Sequence, residues 1–255
     1  MNFYPILKKE LKSYFVSPVA YIVISIFLVI SGYFFYSSFA FYNLLSMQAA
    51  SSPYGPHGLN ITEGVLRPLF LNLSVVMLLL MPMLTMRLFA EEKKLGTIEL
   101  LLTYPVRDGE ILAGKFGACL LVFALMLALT GFYLIFLLLY SEPEYGPILS
   151  CYLGLFLMGT SFISLGILTS SLTENQIIAS VATFGALLLF WVAGWASHFV
   201  APTLGKVFSH LSIIEHYENF TKGVIESKDV VFYINFSILC LFLTLRSLEA
   251  KRWRG

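Results

Sequence analysis

Charged residues are scarce in this sequence. Asp, Glu, Lys and Arg make up 12% of the chain, against about 25% in an average soluble domain, whereas hydrophobic residues make up 58%. A water-soluble domain of this size has too little interior to hide that much apolar surface. Apolar runs long enough to cross ~30 Å of hydrocarbon recur along the chain. The composition therefore predicts an integral membrane protein built from helices.

Several kinds of functional site are also missing. The chain has no Gly-x-x-x-x-Gly-Lys-Ser/Thr loop and no Gly-x-Gly-x-x-Gly followed by an acidic residue, so any nucleotide energy must come from another chain. Three apolar runs, 111–140, 148–169 and 176–196, contain no charged residue in their cores. This argues against an ion-coupled carrier and against an intramembrane protease. A net charge of +1 gives no indication of a nucleic-acid partner.

Cysteine is rare as well. The chain has three, Cys119, Cys151 and Cys240, and all lie within or at the edge of apolar runs. Their odd number and their membrane setting argue against a disulfide framework. We expect buried thiols that act as small apolar side chains.

Six apolar runs define the predicted fold. A short polar turn, 170–175, joins the fourth run to the fifth, so we expect these two to form a tight hairpin. Small residues at intervals along the fourth run, among them Gly154, Gly159 and Gly166, favour close helix packing. We predict an all-α polytopic membrane protein with one transmembrane domain over residues 1–255. The six predicted spans are 19–42, 64–89, 111–140, 148–169, 176–196 and 230–245.

Residues 3–15 precede the first span and have an amphipathic pattern. Leu7, Leu11, Tyr14 and Phe15 fall at helical spacing, with Lys and Glu residues elsewhere around the helix. This pattern is typical of an interfacial helix on the membrane surface. The alternative is a basic flank that only sets the topology.

Residues 198–228 form the other polar segment. Val207, Leu211, Ile214 and Tyr217 fall at helical spacing, which predicts one or two amphipathic helices on the membrane or on the bundle. All four histidines, His57, His198, His210 and His216, lie in predicted outer regions. Their spacing matches no compact metal-binding motif, so we expect solvated or interfacial histidines and no metal site.

The positive charges predict the orientation. With the N-terminus in the cytoplasm, six spans return the C-terminus to the same side. Only Arg67, Lys206, Lys222 and Lys228 then lie outside, and the remaining twelve of the sixteen basic residues are cytoplasmic. The cytoplasmic set is Lys8, Lys9, Lys12, Arg87, Lys93, Lys94, Arg107, Lys115, Arg246, Lys251, Arg252 and Arg254.

The longest polar interruption in the first half of the chain is the stretch 90–106. Thr97 is a candidate cap for a short helix in which Ile98, Leu101 and Leu102 share a face, with Glu99 in its first turn. Gly96 permits a sharp turn before it, and Tyr104-Pro105 ends it. Such a helix, parallel to the membrane, fits a groove on a soluble partner. The alternative is a solvated loop.

This stretch also carries a resemblance to a known family. Glu91-Glu92-x-x-x-Gly96-Thr97-x-Glu99-x-Leu101-Leu102-x-x-Pro105-Val106, followed by Asp108, Ile111 and Gly114-Lys115, resembles the signature of type-two ABC exporter permeases. Within that family it is most similar to the gliding-motility and nitrous-oxide-reductase-maturation permeases. The likeness in organisation covers essentially the whole chain.

The resemblance implies a membrane subunit, without catalytic residues, of an ATP-driven exporter in a bacterial or archaeal cytoplasmic membrane. Residues 97–105 would be the coupling helix in the groove of a separate ABC ATPase, with Glu91 and Glu92 fixing its base. The helix from Leu7 to Phe15 would also touch the ATPase, and the extracytoplasmic segment 198–228 would match the short helices that cap the bundle or re-enter it between the fifth and sixth spans. ATP and Mg would be bound by that partner, and this chain would hold no cofactor of its own. A second permease copy would complete the pair.

The cargo is not specified by these residues. Apolar walls with few charges suit a lipid-like substrate, and the small outer loops imply an extracytoplasmic auxiliary protein if the substrate is handled outside. An alternative function is a membrane anchor or scaffold that recruits an ATPase to a larger motility or assembly machine.

Overall fold

The computed structural model describes residues 3–51, 60–97, 107–141, 143–197 and 199–252. Within these ranges the regular structure is helical, with no strand. The predicted all-α class is therefore confirmed. The helices are α1 Phe3–Val16, α2 Pro18–Ser51, a π-helical turn Thr62–Leu66, α3 Arg67–Thr85, α4 Arg87–Lys94, α5 Asp108–Tyr140, α6 Tyr145–Leu172, α7 Gln176–Ser197, α8 Pro202–Leu211, α9 Ile213–Thr221 and α10 Ser227–Arg252.

Six helical segments in the described ranges are long and apolar enough to span a membrane, which confirms the predicted number. Most extend beyond the predicted runs because the helices continue past the apolar residues. Four residues or fewer connect α5 to α6 and α6 to α7, as expected for antiparallel neighbours. The six segments are Pro18–Ala49, Thr62–Lys94, Asp108–Tyr140, Tyr145–Leu172, Gln176–Ser197 and Ser227–Ala250.

Two of these segments form the centre of the bundle. In the most apolar stretch of Thr62–Lys94, 61% of the residues are buried, and in that of Tyr145–Leu172, 67%. The corresponding fractions for the other four lie between 22% and 33%. The helices α3 and α6 therefore pack inside, and the remaining spans expose apolar faces of the kind that lipid or a partner helix covers.

Small residues bring the central helices close together, as the sequence predicted. A Cβ atom added to Gly166 on α6 would collide with the side chain of Thr85 on α3. One added to Gly154 would lie 2.7 Å from the ring of Phe220 on α9. Because glycine has no side chain, the neighbouring helices can approach each other closely at these positions. This is a common way of packing helices in membranes.

The segment between α7 and α10 contains the two short helices α8 and α9, at the end of the bundle opposite α1. The expectation of one or two amphipathic helices is thus confirmed as two. Ser212 separates them, and its hydroxyl caps α9 by accepting a hydrogen bond from the amide of Glu215 at 3.3 Å. This break divides the predicted apolar stripe between two helices. Tyr217 on α9 is buried, whereas Val207 on α8 is exposed.

Candidate functional site

The helix α4 leads from the second span into the predicted coupling segment. After Lys94 the chain turns at Gly96, whose φ of 69° lies in the left-handed region that favours glycine, so the predicted turn is confirmed. The Thr97 hydroxyl donates a hydrogen bond to the Glu92 carbonyl at 3.3 Å. The remaining predicted coupling residues lie outside the described residues: Ile98, Glu99, Leu101, Leu102 and Pro105.

A buried ammonium group lies where α1, α4 and α5 meet. Lys115 on α5 is 1% exposed. Its Nζ donates hydrogen bonds to Glu10 Oε1 on α1 at 3.0 Å and to the carbonyl of Leu88 on α4 at 2.7 Å. Its distance to Glu92 Oε2 is also 3.0 Å, but this contact lies outside hydrogen-bond geometry and is an ion pair only. One cation thus joins three helices.

A second lysine extends this group of charges toward solvent. The Lys9 ammonium donates to Glu92 Oε1 at 3.2 Å and lies 3.8 Å from Glu10 Oε1. The ammonium of Lys115 also lies 5.1 Å from the centre of the Phe89 ring, within range of a cation–π contact. We call Lys9, Glu10, Glu92 and Lys115 the charge cluster. Its two positive and two negative charges balance, as burial requires.

An arginine at the start of α4 binds the C-terminal end of α1. Arg87 donates from Nη1 to the Ser17 hydroxyl at 2.7 Å and from Nη2 to the Ser13 carbonyl at 3.2 Å. Its guanidinium lies 4.9 Å from the centre of the Tyr14 ring. Burial raises the pKa of the Tyr14 phenol well above its usual value, so the phenol stays neutral. It donates to the Leu84 carbonyl at 2.9 Å.

Glycines on α5 allow α1 to pack directly on that helix. A Cβ atom added to Gly114 would lie 2.6 Å from Cγ2 of Ile6, and one added to Gly117 would lie 3.2 Å from Cδ1 of Leu7. The side chains of α1 therefore fill the space above these glycines. This close contact brings Glu10 within reach of Lys115 one turn along.

The four residues predicted to form the apolar face of α1 have different environments. Leu7 and Leu11 are half-buried, and Leu11 packs against the core of the bundle. Tyr14 is buried at 2% exposure, whereas Phe15 is 39% exposed. The predicted helix over 3–15 is present as α1, and its position on the membrane surface stays a prediction.

The helix α4 is also attached to the central helix α6. The hydroxyl of Ser170 accepts hydrogen bonds from the amides of Phe89 and Ala90, both at 3.1 Å, and donates to the Met86 carbonyl at 2.8 Å. These backbone groups lie where α3 ends and α4 begins. The Ser170 hydroxyl gives them hydrogen-bond partners at this junction between two helices. Consequently α4 has fixed contacts to α1, α5 and α6.

Sequence reasoning missed half of the charge cluster. Glu10 was assigned to the polar side of α1, but it is 7% exposed. Lys115, one of the basic residues predicted on the cytoplasmic side, lies two turns into α5 and is buried, which its position in the sequence does not reveal. One signal was available, since Glu10 is the single acidic residue among the lysines of α1. Glu91, predicted beside Glu92, is half-buried and outside the cluster.

A second polar group lies at the opposite end of the bundle. His216 Nδ1 is 2.6 Å from Oδ1 of Asp229, and its Nε2 is 3.1 Å from the His210 carbonyl. Asn219 donates to the other oxygen of Asp229 at 2.8 Å. Asp229 is fully buried, and the His216 ring stacks on Phe232 at 4.0 Å between centroids. These contacts fasten α9 to the start of α10.

The expectation for the histidines is therefore wrong for His216, which is 6% exposed. A buried imidazole is retained here because both ring nitrogens face hydrogen-bonding oxygens. His57 and His198 lie outside the described residues. In the part of the chain that the structure describes, no three His, Cys, Asp or Glu side chains are grouped as metal ligands.

These features define a class of protein. Six apolar helices with two inner spans are the architecture of a multi-pass membrane protein, and the charge cluster joins α1, α4 and α5 at one end of it.

Comparison with known families assigns the chain more closely. The profile of the ABC-2 family transporter proteins matches residues 4–245, and the chain belongs to that family. It is thus the transmembrane subunit of an ABC transporter, which works with an ABC ATPase subunit. No curated protein matches the chain.

Proposed function

We propose that this chain couples ATP hydrolysis by a separate ABC ATPase to export of a substrate across the membrane, with residues 97–105 as the coupling helix. The observation that carries the proposal is the anchoring of α4, the helix directly before that segment. Because α4 has fixed contacts to α1, α5 and α6, a force applied beyond Gly96 acts on three helices together. The signature around Gly96 also supports our proposal that this chain resembles the gliding-motility and nitrous-oxide-reductase-maturation permeases within the family.

Energy enters this scheme from the partner. ATP and Mg are bound by the ATPase subunit, since this sequence contains no nucleotide-binding loop. Two permease copies pair, each docked on one ATPase. The N- and C-termini lie in the cytoplasm, as the excess of basic residues on that side supports. Glu92 holds the base of the coupling helix through Lys115 and Lys9.

Movement then follows the contacts already described. ATP binding closes the ATPase pair and displaces the coupling helices. Through Gly96 and α4 the displacement reaches the charge cluster, which links it to α1 and α5. Ion pairs and hydrogen bonds formed by one buried ammonium favour movement of the three helices as a unit, because separating them leaves uncompensated charges in an apolar setting.

A lipid-like substrate fits the surface of this bundle best. An open apolar groove of about 570 Å³ runs along α5 and α6, lined by Leu127, Leu149, Tyr152 and Phe156 among others. Aliphatic and aromatic linings of this kind accommodate acyl chains more readily than hydrophilic ions. An extracytoplasmic auxiliary protein would receive such a substrate.

The test is binding of the cognate ATPase to purified permease. Leu101→Ser removes one residue of the proposed apolar ridge and should abolish co-purification of the ATPase while leaving insertion intact. The matched control is Leu204→Ser, the same change at an exposed position on α8 at the opposite end. Retention of the ATPase by Leu101→Ser, or its loss with Leu204→Ser, would contradict the proposal. A complex in which no substrate stimulates ATP hydrolysis would favour the anchor or scaffold function instead.

A further inference from the structure

A cleft of about 600 Å³ opens between the ends of α4, α6 and α10, at the same end of the bundle as α1. Its polar lining consists of two cationic and two hydroxyl side chains, and its remaining walls are aliphatic. None of these residues belongs to the charge cluster. Those used below are Lys93, Ser171, Leu172, Leu243, Arg246 and Ser247.

The cations are held at the mouth of this cleft. Lys93 donates a hydrogen bond to the carbonyl of Ser171, in the last turn of α6, where its charge offsets the negative end of the helix dipole. Arg246 extends from α10 over the Phe242 ring at 5.1 Å and pairs through Nη1 with Glu249 at 2.8 Å. Its side chain is 64% exposed, and a guanidinium has five N–H donors.

The aliphatic walls continue from these cations along the helices. Leu172 is 66% exposed and Leu243 is 43% exposed, although both lie at the end of membrane-spanning helices. A ligand that fits the whole cleft must therefore present an anion to the cationic mouth and an apolar chain to the walls.

We propose that this cleft binds an anionic phospholipid, with its phosphate between Lys93 and Arg246 and an acyl chain along Leu172 and Leu243. A free phosphate would leave the aliphatic walls exposed to water, whereas a phospholipid covers both parts. Basic pockets between membrane helices are a recognised form of lipid recognition. The bound headgroup bridges α4 and α10 and so joins the last span to the helix that carries Glu92 of the charge cluster. This proposal does not depend on the ATPase.

The experiment is native mass spectrometry of the purified chain titrated with phosphatidylglycerol and, separately, with phosphatidylcholine. We expect tighter binding of phosphatidylglycerol. Arg246→Gln should weaken it about fivefold, the effect of about one basic residue near a membrane surface. Glu249→Gln should strengthen it, because it removes the carboxylate that competes for the guanidinium. The Arg246 and Glu249 side chains are 64% and 45% exposed, so neither change should disturb folding.

The matched control is Lys94→Gln, which removes an exposed charge next to Lys93 on α4 but outside the cleft. Its phosphatidylglycerol affinity should equal that of the wild-type chain. Equal binding of the two lipids, equal weakening by Lys94→Gln and Arg246→Gln, or no effect of Arg246→Gln would each overturn the proposal. Displacement of the lipid by millimolar inorganic phosphate would also overturn it, since the acyl chain would then contribute nothing.

Discussion

The ammonium of Lys115 lies 3.0 Å from Oε1 of Glu10, a residue 105 positions earlier in the chain. The pair joins the N-terminal helix to the third span. Both residues are buried, and Lys115 also contacts Glu92 on α4. One side chain therefore contacts both the N-terminal helix and α4, the helix before the proposed coupling segment.

Replacement of Lys115 by Gln should destabilise the protein by about 3 kcal/mol, because the carboxylates of Glu10 and Glu92 would lose their buried cation and keep only the exposed Lys9. The value lies at the low end for buried pairs, since the two carboxylates keep some exposure, 10% and 15%. Thermal unfolding in detergent, followed by tryptophan fluorescence, would show a lower melting temperature.

Two companion variants make this measurement specific. Lys12→Gln removes an exposed charge from α1 and should leave the melting temperature unchanged. Adding Glu10→Gln to Lys115→Gln removes one of the uncompensated carboxylates and should restore part of the loss, as a double-mutant cycle would show. Equal effects of Lys115→Gln and Lys12→Gln would rule out the charge cluster as a stabilising junction.

Replacement of Gly114 by Ala should separate α1 from α5. The new Cβ would meet Ile6 Cγ2 at 2.6 Å, and overpacking of this kind costs about 1–3 kcal/mol. Trypsin should then cleave α1 faster at its exposed lysines, Lys8 and Lys9. The rate of cleavage can be read from gels of the intact protein.

The control for this change lies on the same helix. A Cβ added to Gly109 meets no atom within 4 Å, so Gly109→Ala should leave the cleavage rate unchanged. Ile6→Ala in the Gly114→Ala background should restore resistance by making space. If Gly114→Ala and Gly109→Ala behave alike, the packing of α1 on α5 described above is wrong.

Replacement of Asp229 by Asn should loosen the opposite end of the bundle. The carboxylate accepts from Asn219 and pairs with His216, and an amide of the same shape must turn its NH₂ toward one of these partners. We expect a loss of about 2 kcal/mol, the scale for a buried charged hydrogen bond. The lower melting temperature should be absent in Glu218→Gln, which alters an exposed pair with Lys222.

Length and composition were enough to predict the helical class, the six spans and the tight α6–α7 hairpin. Long apolar runs indicate helices that span the membrane, and the small residues of α6 indicate close packing against neighbouring helices. The turn at Gly96 was also predictable, because few residues other than glycine adopt a positive φ.

The charge cluster could not be predicted from the sequence, because helical spacing shows which residues share a face of a helix but not which face turns inward. Glu10 and Lys9 are neighbours in sequence, yet one is buried and the other exposed. Likewise the stripe through Val207 and Tyr217 looked continuous, since nothing in its spacing reveals that Ser212 ends one helix and caps the next. The first case depends on tertiary contacts between distant segments, and the second on a local break between two short helices.

We propose that motion from the ATPase passes through the charge cluster to the far end of the bundle. A spin label at Leu204→Cys on α8 reports on that end, and the three native cysteines are buried, which favours labelling of the new thiol. In a dimer the two labels give one distance by pulsed electron paramagnetic resonance, measured without nucleotide and with Mg-ATP and vanadate.

We expect nucleotide to change this distance in the wild-type complex and in Lys12→Gln. Lys115→Gln should abolish the change while the ATPase stays bound. An undiminished change in Lys115→Gln would show that motion does not pass through the charge cluster.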